Sequence, residues 1–358
     1  METLASAVQP FVDRGLIAGA VLLAADKDNV LALEAVGYAN LGTKEPMTPD
    51  SLFWIASMTK PMTGTAFMML VDEGKVNVDD LVEKYLPEFK GQMVIAEKDD
   101  DHVLLKKPRH PILVREILCH TSGLSFSSPI EIPTFDQLRL RNRVRSYAML
   151  PLKFEPGTQY QYANAGTNTC GRIIEVVSGL VYEDFMDQRL FGPLGMSDTT
   201  FWPNDGQLQR LAKIYRSRDD KSGLEEARLS QLSYPLNDPK RKSVPAGGLF
   251  STATDCAKFC QMILKGGVFE GRRYLSEQAV HQMTAKQTGD LVETNYGFCW
   301  SSENGKFGHG GAYKTNMTID STRGLITIFL IHHTNDWHHD EGKNILPTFT
   351  AAAEKLFS

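Results

Sequence analysis

Runs of apolar residues near both ends of the chain have the length and spacing of β-strands. These runs occupy 18–25, 30–40, 296–302, 314–320 and 324–333. Polar turns at 26–29 and 321–324 separate neighbouring runs and predict antiparallel hairpins. Terminal segments this short can hardly form two separate sheets. We therefore predict one antiparallel sheet built from both chain ends.

Apolar residues recur at helical spacing elsewhere, mostly between the two strand regions. The predicted helices are 3–14, 62–72, 114–119, 165–177, 182–190, 254–264, 276–285 and 344–356. This order predicts an α/β (α+β) fold with an inserted, mainly helical region. We place an α/β domain at 1–60 plus 240–358 and a helical domain at 61–239, with the candidate active site at their interface.

Charged segments predict where the chain meets solvent. Two of them, 97–110 and 217–230, predict exposed connections. A third carries arginine at every second position: Arg139, Arg141, Arg143 and Arg145. Such a series is one feature of nucleic-acid-binding surfaces, but the net charge is −5 and no aromatic residues interleave. We therefore predict an ordinary exposed face and no nucleic-acid partner.

The cysteines, the N-terminus and the longest apolar run indicate the cellular compartment in which we expect the protein. The five cysteines include no C-x-x-C pair and predict reduced, buried thiols without a disulfide framework. The N-terminus lacks a cationic segment, so we expect no signal peptide and a cytoplasmic protein, although a leader removed earlier would leave no trace. The longest apolar run, 16–25, is too short to span a bilayer. The oligomeric state stays open.

A histidine-rich segment, 332–342, raises the question of a metal site. It directly follows a predicted strand, and a loop at a strand end is the simpler interpretation. The chemistry considered below needs no metal. We therefore predict neither a metal ion nor a cofactor.

The stretch 54–64, WIASMTKPMTG, places Ser57 three residues before Lys60. On a helix, residues at this spacing share a face about 5–6 Å apart, so the amine can reach the hydroxyl. A lysine activates a serine only if burial or nearby charge lowers its pKa from about 10.4. The apolar flank favours such a dry site, and Pro61 predicts a distorted helix start. The alternative is a chance spacing of two exposed side chains.

Two other stretches carry groups that could work with this pair. Tyr162 and Asn164 are two residues apart in a loop, and in extended chain such residues point the same way. A phenol can exchange a proton with a lysine, and an amide can bind both a lysine and a carbonyl. The alternative is a packed loop aromatic.

The segment His309-Gly310-Gly311-Ala312 lies at or just before a predicted strand. Its two glycines would let a substrate approach the backbone. An edge strand there would offer free N–H groups as oxyanion donors. The alternative is a capped loop histidine.

Together the three stretches resemble the serine hydrolases of the class C β-lactamase fold, which include class C β-lactamases, D,D-peptidases and family VIII carboxylesterases. Supporting stretches are HTSGL (120–124), PGTQYQYANAG (156–166), PLGMSDT (193–199) and AGGLFSTATD (246–255). The resemblance implies that Ser57 is the acyl-accepting nucleophile, Lys60 its activator and Tyr162 the general base and acid. It also implies that Asn164 positions the substrate and the lysine. The backbone N–H groups of Ala312 and the serine would bind the oxyanion.

The third motif departs from the family pattern. Members that act on β-lactams or peptides usually carry Lys-Thr-Gly where this chain has His309-Gly310-Gly311. Histidine is mostly neutral at pH 7, so we expect small neutral esters as substrates, although Lys314 could restore some positive charge. The alternatives are a β-lactamase, a D,D-peptidase or D-aminopeptidase acting on amides, an acyltransferase, and a penicillin-binding-like sensor or scaffold without turnover.

Overall fold

Strands at both chain ends with helices between them match the predicted arrangement, although short strands also occur in the middle of the chain. The structure, a computed structural model, describes residues 2–290, 292–334, 337 and 340–357. The strands are β1 (Gly19–Ala25), β2 (Val30–Asn40), β3 (Glu45–Pro46), β4 (Phe53–Trp54), β5 (Val94–Lys98), β6 (Val103–Lys106), β7 (Ile214–Ser217), β8 (Leu224–Ala227), β9 (Phe250–Ser251), β10 (Val268–Phe269), β11 (Arg272–Arg273), β12 (Ser301–Glu303), β13 (Lys306–Gly310), β14 (Asn316–Asp320), β15 (Leu325–Leu330) and β16 (His333–Thr334).

The helices occupy most of the middle of the chain. They are α1 (Leu4–Asp13), α2 (Thr59–Asp72), α3 (Val82–Tyr85), α4 (Val114–Leu118), α5 (Leu140–Ala148), α6 (Asn164–Ser178), α7 (Tyr182–Met186), α8 (Gly192–Leu194), α9 (Asp205–Gln209), α10 (Ala253–Leu264), α11 (Glu277–Thr284) and α12 (Ile345–Phe357). Short 3₁₀ turns span Ala56–Met58, Pro87–Phe89 and Asp340–Asn344, and a π-helical turn spans Asp187–Phe191.

The main sheet confirms that both chain ends build one antiparallel sheet. Among the described residues it has seven strands in the order β12-β13-β14-β15-β1-β2-β3. The N-terminal hairpin meets the C-terminal strands in the β1–β15 pair, where Val21 lies opposite Leu330 and Ala25 opposite Ile326. The long helical section therefore begins and ends at the same sheet.

Strand β1 is buried on both faces, which explains its continuous apolar run. On one face Leu22 belongs to a buried cluster with Phe11 of α1 and Phe349 of α12. On the other face Val21 and Leu23 join the larger core beside α10. Each such aliphatic side chain stabilises the fold by roughly 1.5–3 kcal/mol through its removal from water.

The C-terminal strands differ from the prediction in one place. Of the stretch 296–302, only the last two residues join β12, whereas Phe298 and Trp300 are buried in the core. Cys299 between them has a φ of +65°, a left-handed conformation that interrupts any strand. The apolar pattern does not predict β13, because glycines are uncommon in strands and obscure the alternation.

Two segments predicted as plain connections contain parts of hairpins. The β5–β6 pair overlaps 97–110, and the β7–β8 pair overlaps 217–230. Leu104 and Leu105 of β6 are exposed to solvent. Because no buried face constrains β6, its sequence lacks the apolar alternation that identifies a strand.

One of the four alternating arginines is buried, so the prediction of an exposed face is wrong for it. Arg139 precedes α5 and is exposed, whereas within the helix Arg143 lies on the buried face with Leu140 and Tyr147, and Arg141 and Arg145 are exposed. Nε of Arg143 lies 3.2 Å from the Glu131 carboxylate. Its guanidinium also donates to the carbonyls of Leu138 at 3.1 Å and Ser243 at 3.3 Å.

The cysteines are buried and free, which confirms the prediction of thiols without disulfides.

In the segment 332–342, His338 and His339 lie outside the described residues, so its interpretation as a plain loop stays a prediction. Within the described ranges, no helix is long and apolar enough to cross a membrane.

Candidate functional site

Ser57 stands where a short strand turns into a buried helix. Strand β4 leads into the 3₁₀ turn Ala56–Met58, and α2 follows directly. Ala56 has a φ of +46°, which is strained for a residue with a Cβ. This tight entrance agrees with the distortion predicted before Pro61. Within this turn the Met58 N–H donates to the Ile55 carbonyl at 3.0 Å.

Lys60 is buried and has no carboxylate partner among the residues that the structure describes. Its Nζ donates to the side-chain oxygen of Asn164 at 2.8 Å and to the carbonyl of Ala246 at 2.6 Å. Ser57 Oγ lies 3.3 Å from the same nitrogen, which confirms the predicted contact. Burial lowers the pKa of Lys60 from 10.5 to about 7, because removal from water disfavours the ammonium form.

Tyr162 and Asn164 approach this amine from the loop that precedes α6. Asn164 is the first residue of the helix, and Tyr162 lies two residues before it. The Nζ of Lys60 lies 4.7 Å from the centroid of the Tyr162 ring. Burial raises the pKa of Tyr162, and a hydrogen bond with Ser57 opposes that shift only in part. The phenol is therefore neutral near pH 7.

The third motif lies where β13 ends, beyond Gly308, the last residue that pairs with the edge strand β12. His309 and Gly310 end β13, and Gly311 and Ala312 follow as the chain leaves the sheet. A Cβ at Gly311 would lie 2.0 Å from the Thr315 hydroxyl, so the close approach of these segments requires glycine. At Gly310 the nearest atom to an added Cβ would be 3.7 Å away, so space alone does not require glycine there.

His309 is buried and neutral. Burial first, and the charge of Lys60 second, lower the pKa of His309 to about 3. It therefore cannot supply the cation that lysine would bring to this position. Lys314 does not replace that cation, because its ammonium lies over the Trp337 ring, 5.7 Å from the centroid, and does not line the cavity.

These residues surround a cavity of about 340 Å³. It is lined by Trp54, Ala56, Ser57, Phe126, Phe135, Tyr162, Asn164, Gln231, Val244, Ala246, Gly247, His309, Gly310, Gly311 and Ala312. Seven of the eight predicted site residues are in this lining, and the eighth, Lys60, lies directly beneath Ser57. No acidic side chain, lysine or arginine is in the described lining. A cavity of about 330 Å³ near Phe89 is similar in size, but its described lining contains neither serine nor cysteine.

Several residues of the site have no role in the sequence analysis. Phe126 and Phe135 form cavity wall from a loop whose sequence has no clear period. His120 packs on Tyr162 with ring centroids 4.6 Å apart. The stretch HTSGL, which supports the family resemblance, contains His120 and could have pointed to it. Tyr296 lies in a segment predicted as a strand, and no sequence signal marks it as part of the site.

Comparisons with known proteins give consistent matches over nearly the whole chain. A family model described as Beta-lactamase matches residues 4–349. Protein Rv1367c of Mycobacterium tuberculosis (strain ATCC 25618 / H37Rv) is 29% identical over 364 residues, which cover 92% of this chain and 90% of the relative. Lovastatin esterase of Penicillium rubens is 28% identical over 334 residues, covering 89% and 82% of the two chains.

A solved structure agrees with the fold. EstCE1, described as a hydrolase with promiscuous acyltransferase activity, superposes with a TM-score of 0.81 at 23% identity. The superposition covers 98% of this chain and 97% of that chain. This likeness confirms the predicted α/β fold class.

Proposed function

The chain belongs to the beta-lactamase family, and from this premise we propose that it hydrolyses carboxylic esters through an acyl-enzyme formed on Ser57. One observation carries the proposal: the serine hydroxyl lies 3.3 Å from the buried amine of Lys60, at the floor of a cavity whose lining has no charged side chain in the described residues. The name of the relative lovastatin esterase supports an ester substrate.

Lys60 is the proposed general base for acylation. A neutral amine has two N–H groups, and Asn164 and the Ala246 carbonyl accept both. The remaining lone pair then faces Ser57, whose O–H can donate to it. With a pKa of about 7, close to half of the amine is in this form at pH 7. This assignment differs from the resemblance, which implies Tyr162 as the base.

Tyr162 is the proposed proton carrier to the leaving group. Its raised pKa keeps the phenol protonated, and it lines the same cavity as Ser57. As the serine oxygen bonds to the ester carbon, its proton moves to Lys60. The phenol protonates the departing alkoxide and regains its proton from the ammonium. In deacylation a water molecule attacks the acyl carbon and gives a proton to the amine. As the bond between the acyl carbon and the serine oxygen breaks, the ammonium returns that proton to the serine oxygen, and the carboxylic acid leaves.

Two backbone N–H groups are proposed to stabilise the oxyanion. They belong to Ser57 and Ala312, and both residues line the cavity. Neither N–H has a recorded partner among the described residues. Donors of this kind typically contribute on the order of 10²–10³ in rate each.

The lining favours a neutral substrate with an apolar acyl group. Trp54, Phe126, Phe135 and Val244 provide apolar wall. A substrate carboxylate, as in β-lactams and D,D-peptides, would meet only the neutral His309 where a cation would be needed. We also propose that the cavity lies between the α/β domain at 1–60 plus 240–358 and the helical domain at 61–239, because both supply lining residues.

An ester panel tests the proposal. We expect turnover of p-nitrophenyl acetate and butyrate, and little turnover of nitrocefin or a D-Ala-D-Ala peptide. In Ser57→Ala, kcat/KM should fall by about 10⁴-fold or more. Ser222→Ala, which changes an exposed serine in the β7–β8 turn, is the matched control and should retain activity.

Trapping with a phosphonate ester locates the nucleophile independently. Mass spectrometry should place the adduct on the peptide that contains Ser57. An adduct elsewhere, or esterase activity that survives Ser57→Ala, would refute the assignment. Stable labelling by a β-lactam with no ester turnover would favour a penicillin-binding-like sensor.

A further inference from the structure

Three buried rings form a hydrogen-bonded chain behind Tyr162. The hydroxyl of Tyr296 lies 3.3 Å from Nε2 of His120 and 3.0 Å from Nε2 of His309. The Tyr162 ring centroid lies 4.6 Å from that of His120 and 6.0 Å from that of His309. The roles assigned above use neither His120 nor Tyr296.

The two ends of the chain determine which ring nitrogens carry protons. Nδ1 of His120 faces the backbone N–H of Ala163 at 3.3 Å, and that group can only donate. This nitrogen is therefore an acceptor, and the neutral ring carries its proton on Nε2. Nδ1 of His309 faces the carbonyl of Gly310 at 2.7 Å, which can only accept. Here the proton is on Nδ1.

These tautomers give the chain a single direction. His120 donates to the oxygen of Tyr296, which donates its O–H to Nε2 of His309, which donates to the next carbonyl. A second proton on His120 would face the Ala163 N–H, and one on His309 would face the tyrosine hydrogen. Consistent with this, burial first and the charge of Lys60 second lower the pKa of both histidines.

We propose that Tyr296 is a positioning residue for the oxyanion-binding edge of the site. Through His309 it holds the carbonyl of Gly310, and the chain that follows places Ala312, the proposed oxyanion donor, in the cavity lining. His120 is a positioning residue one step further back, because its donated proton orients the tyrosine hydroxyl.

The edge needs such support because it is built on consecutive glycines. Glycine has more backbone freedom than any other residue, so Gly310 and Gly311 do not hold one conformation by themselves. One fixed point is the Gly311 N–H, which donates to the Thr315 carbonyl at 2.7 Å. Gly310 is also paired with Asn316 in β14, and the bond from His309 to the Gly310 carbonyl is a further fixed point. The effect on rate rests on the proposed function, whereas the hydrogen-bond chain does not.

Nuclear magnetic resonance of isotope-labelled histidine tests the chain directly. At neutral pH the side-chain nitrogen shifts should report the Nδ1–H tautomer for His309 and the Nε2–H tautomer for His120. His309→Gln and His120→Gln spectra provide the assignments. An Nε2–H tautomer or a protonated ring at His309 overturns the proposal, whatever reaction the protein catalyses.

Tyr296→Phe tests the positioning role, because it removes only the hydroxyl. We expect kcat for p-nitrophenyl butyrate to fall on the order of 10-fold with KM nearly unchanged, because the lost interaction supports an oxyanion donor. The His309 nitrogen shifts should change in the same variant. Tyr160→Phe is the matched control: Tyr160 packs on the same rings, 5.7 Å from Tyr296 and 5.9 Å from His120 between centroids.

The outcomes separate the two proposals. Unchanged kcat in Tyr296→Phe, or an equal loss in Tyr160→Phe, overturns the positioning role. If Tyr296→Phe does not fold, the tautomers of the wild-type protein still decide whether the chain exists. If the wild-type tautomers are as stated but no ester is turned over, the proposed function fails and the hydrogen-bond chain stands.

Discussion

Lys60 and Arg241 are both buried cations, but their surroundings are opposite. Arg241 is 3% exposed and its Nε lies 2.7 Å from the carboxylate of Asp136, which is itself 0% exposed. Lys60 is equally buried, yet among the described residues its amine has hydrogen-bond contacts only with neutral oxygens: the Asn164 amide, the Ala246 carbonyl and a serine hydroxyl. The Asp136 carboxylate compensates the charge of Arg241, whereas the neutral groups around Lys60 do not compensate the charge of its ammonium form.

The ion pair of Arg241 and Asp136 lies next to loops that line the cavity. Besides Arg241, Asp136 accepts hydrogen bonds from the backbone and hydroxyl of Ser233. Burial alone would raise the pKa of Asp136, but these hydrogen bonds outweigh it and lower the pKa. Phe135 and Gln231, which line the cavity, are neighbours of these residues in sequence. The ion pair therefore joins two loops that form the cavity wall.

The comparison teaches what an uncompensated buried charge can do. A paired ion keeps its proton state over the whole working pH range and contributes to structure. An unpaired amine in a dry site is held near the point of losing its proton, which is what a general base needs. Two geometric features therefore identify the proposed base: the nearby serine, and the lack of a carboxylate partner among the described residues.

The largest expected effect comes from Lys60→Met. The variant keeps the volume but removes the base, so kcat/KM for p-nitrophenyl butyrate should fall about 10³-fold or more. The unfolding free energy should change by no more than about 2 kcal/mol, because losing a buried cation offsets the two lost hydrogen bonds. Ester kinetics and urea denaturation measure the two quantities.

Lys314→Met is the control for the loss of a nearby cation, since this ammonium does not line the cavity. It should leave kcat/KM within about two-fold of wild type. Comparable losses in the two variants would mean that general positive charge, and not a base beneath Ser57, supports activity.

Arg241→Met should have the opposite profile. It leaves the Asp136 carboxylate buried without its cation, which typically costs about 3–5 kcal/mol of unfolding free energy. Activity per folded molecule should fall much less than in Lys60→Met. Urea denaturation of the single variant and of Arg241→Met/Asp136→Leu checks the cause, because replacing both partners should recover most of the loss. A double variant no more stable than the single one would contradict this explanation.

Activity, which depends on Lys60, and stability, which depends on the pair of Arg241 and Asp136, should change in different pH ranges. Only neutral Lys60 can accept the serine proton, so kcat/KM should decline as pH falls below about 7, roughly tenfold per unit. His309, with a pKa near 3, does not titrate in this range. The lowered pKa of Asp136 stabilises the fold above its unfolded value near 3.9, so that contribution is lost only in more acidic solution.

Rate profiles and denaturation midpoints, measured together from pH 3 to 9, check both windows. In Lys60→Met the decline of kcat/KM below about pH 7 should disappear. A decline that persists in that variant would assign the titration to another group.

The predicted part of the site rests on three short motifs that resemble a known family, and short-range spacing explains two of the pairs within them. Ser57 and Lys60 are one helical turn apart, and Tyr162 and Asn164 are two residues apart in extended chain, so local geometry alone makes each pair neighbours. Arg143 shows the limit of this approach. The alternating pattern predicts a surface position for this arginine. Its buried partner, Glu131, lies outside the helix, so no local pattern reveals the pairing.

The sequence by itself determined most of the helices and the sheet formed from both chain ends, because periodicity acts over a few residues. The candidate reactive groups came from motifs that resemble a known family, since spacing alone left a chance arrangement open. Only the tertiary structure decided that Lys60 would lack a carboxylate, that Phe126 and Phe135 would wall the cavity, and that Tyr296 would join two histidines. Those facts depend on which distant segments exclude water from one another, and burial of that kind arises only when the whole chain packs.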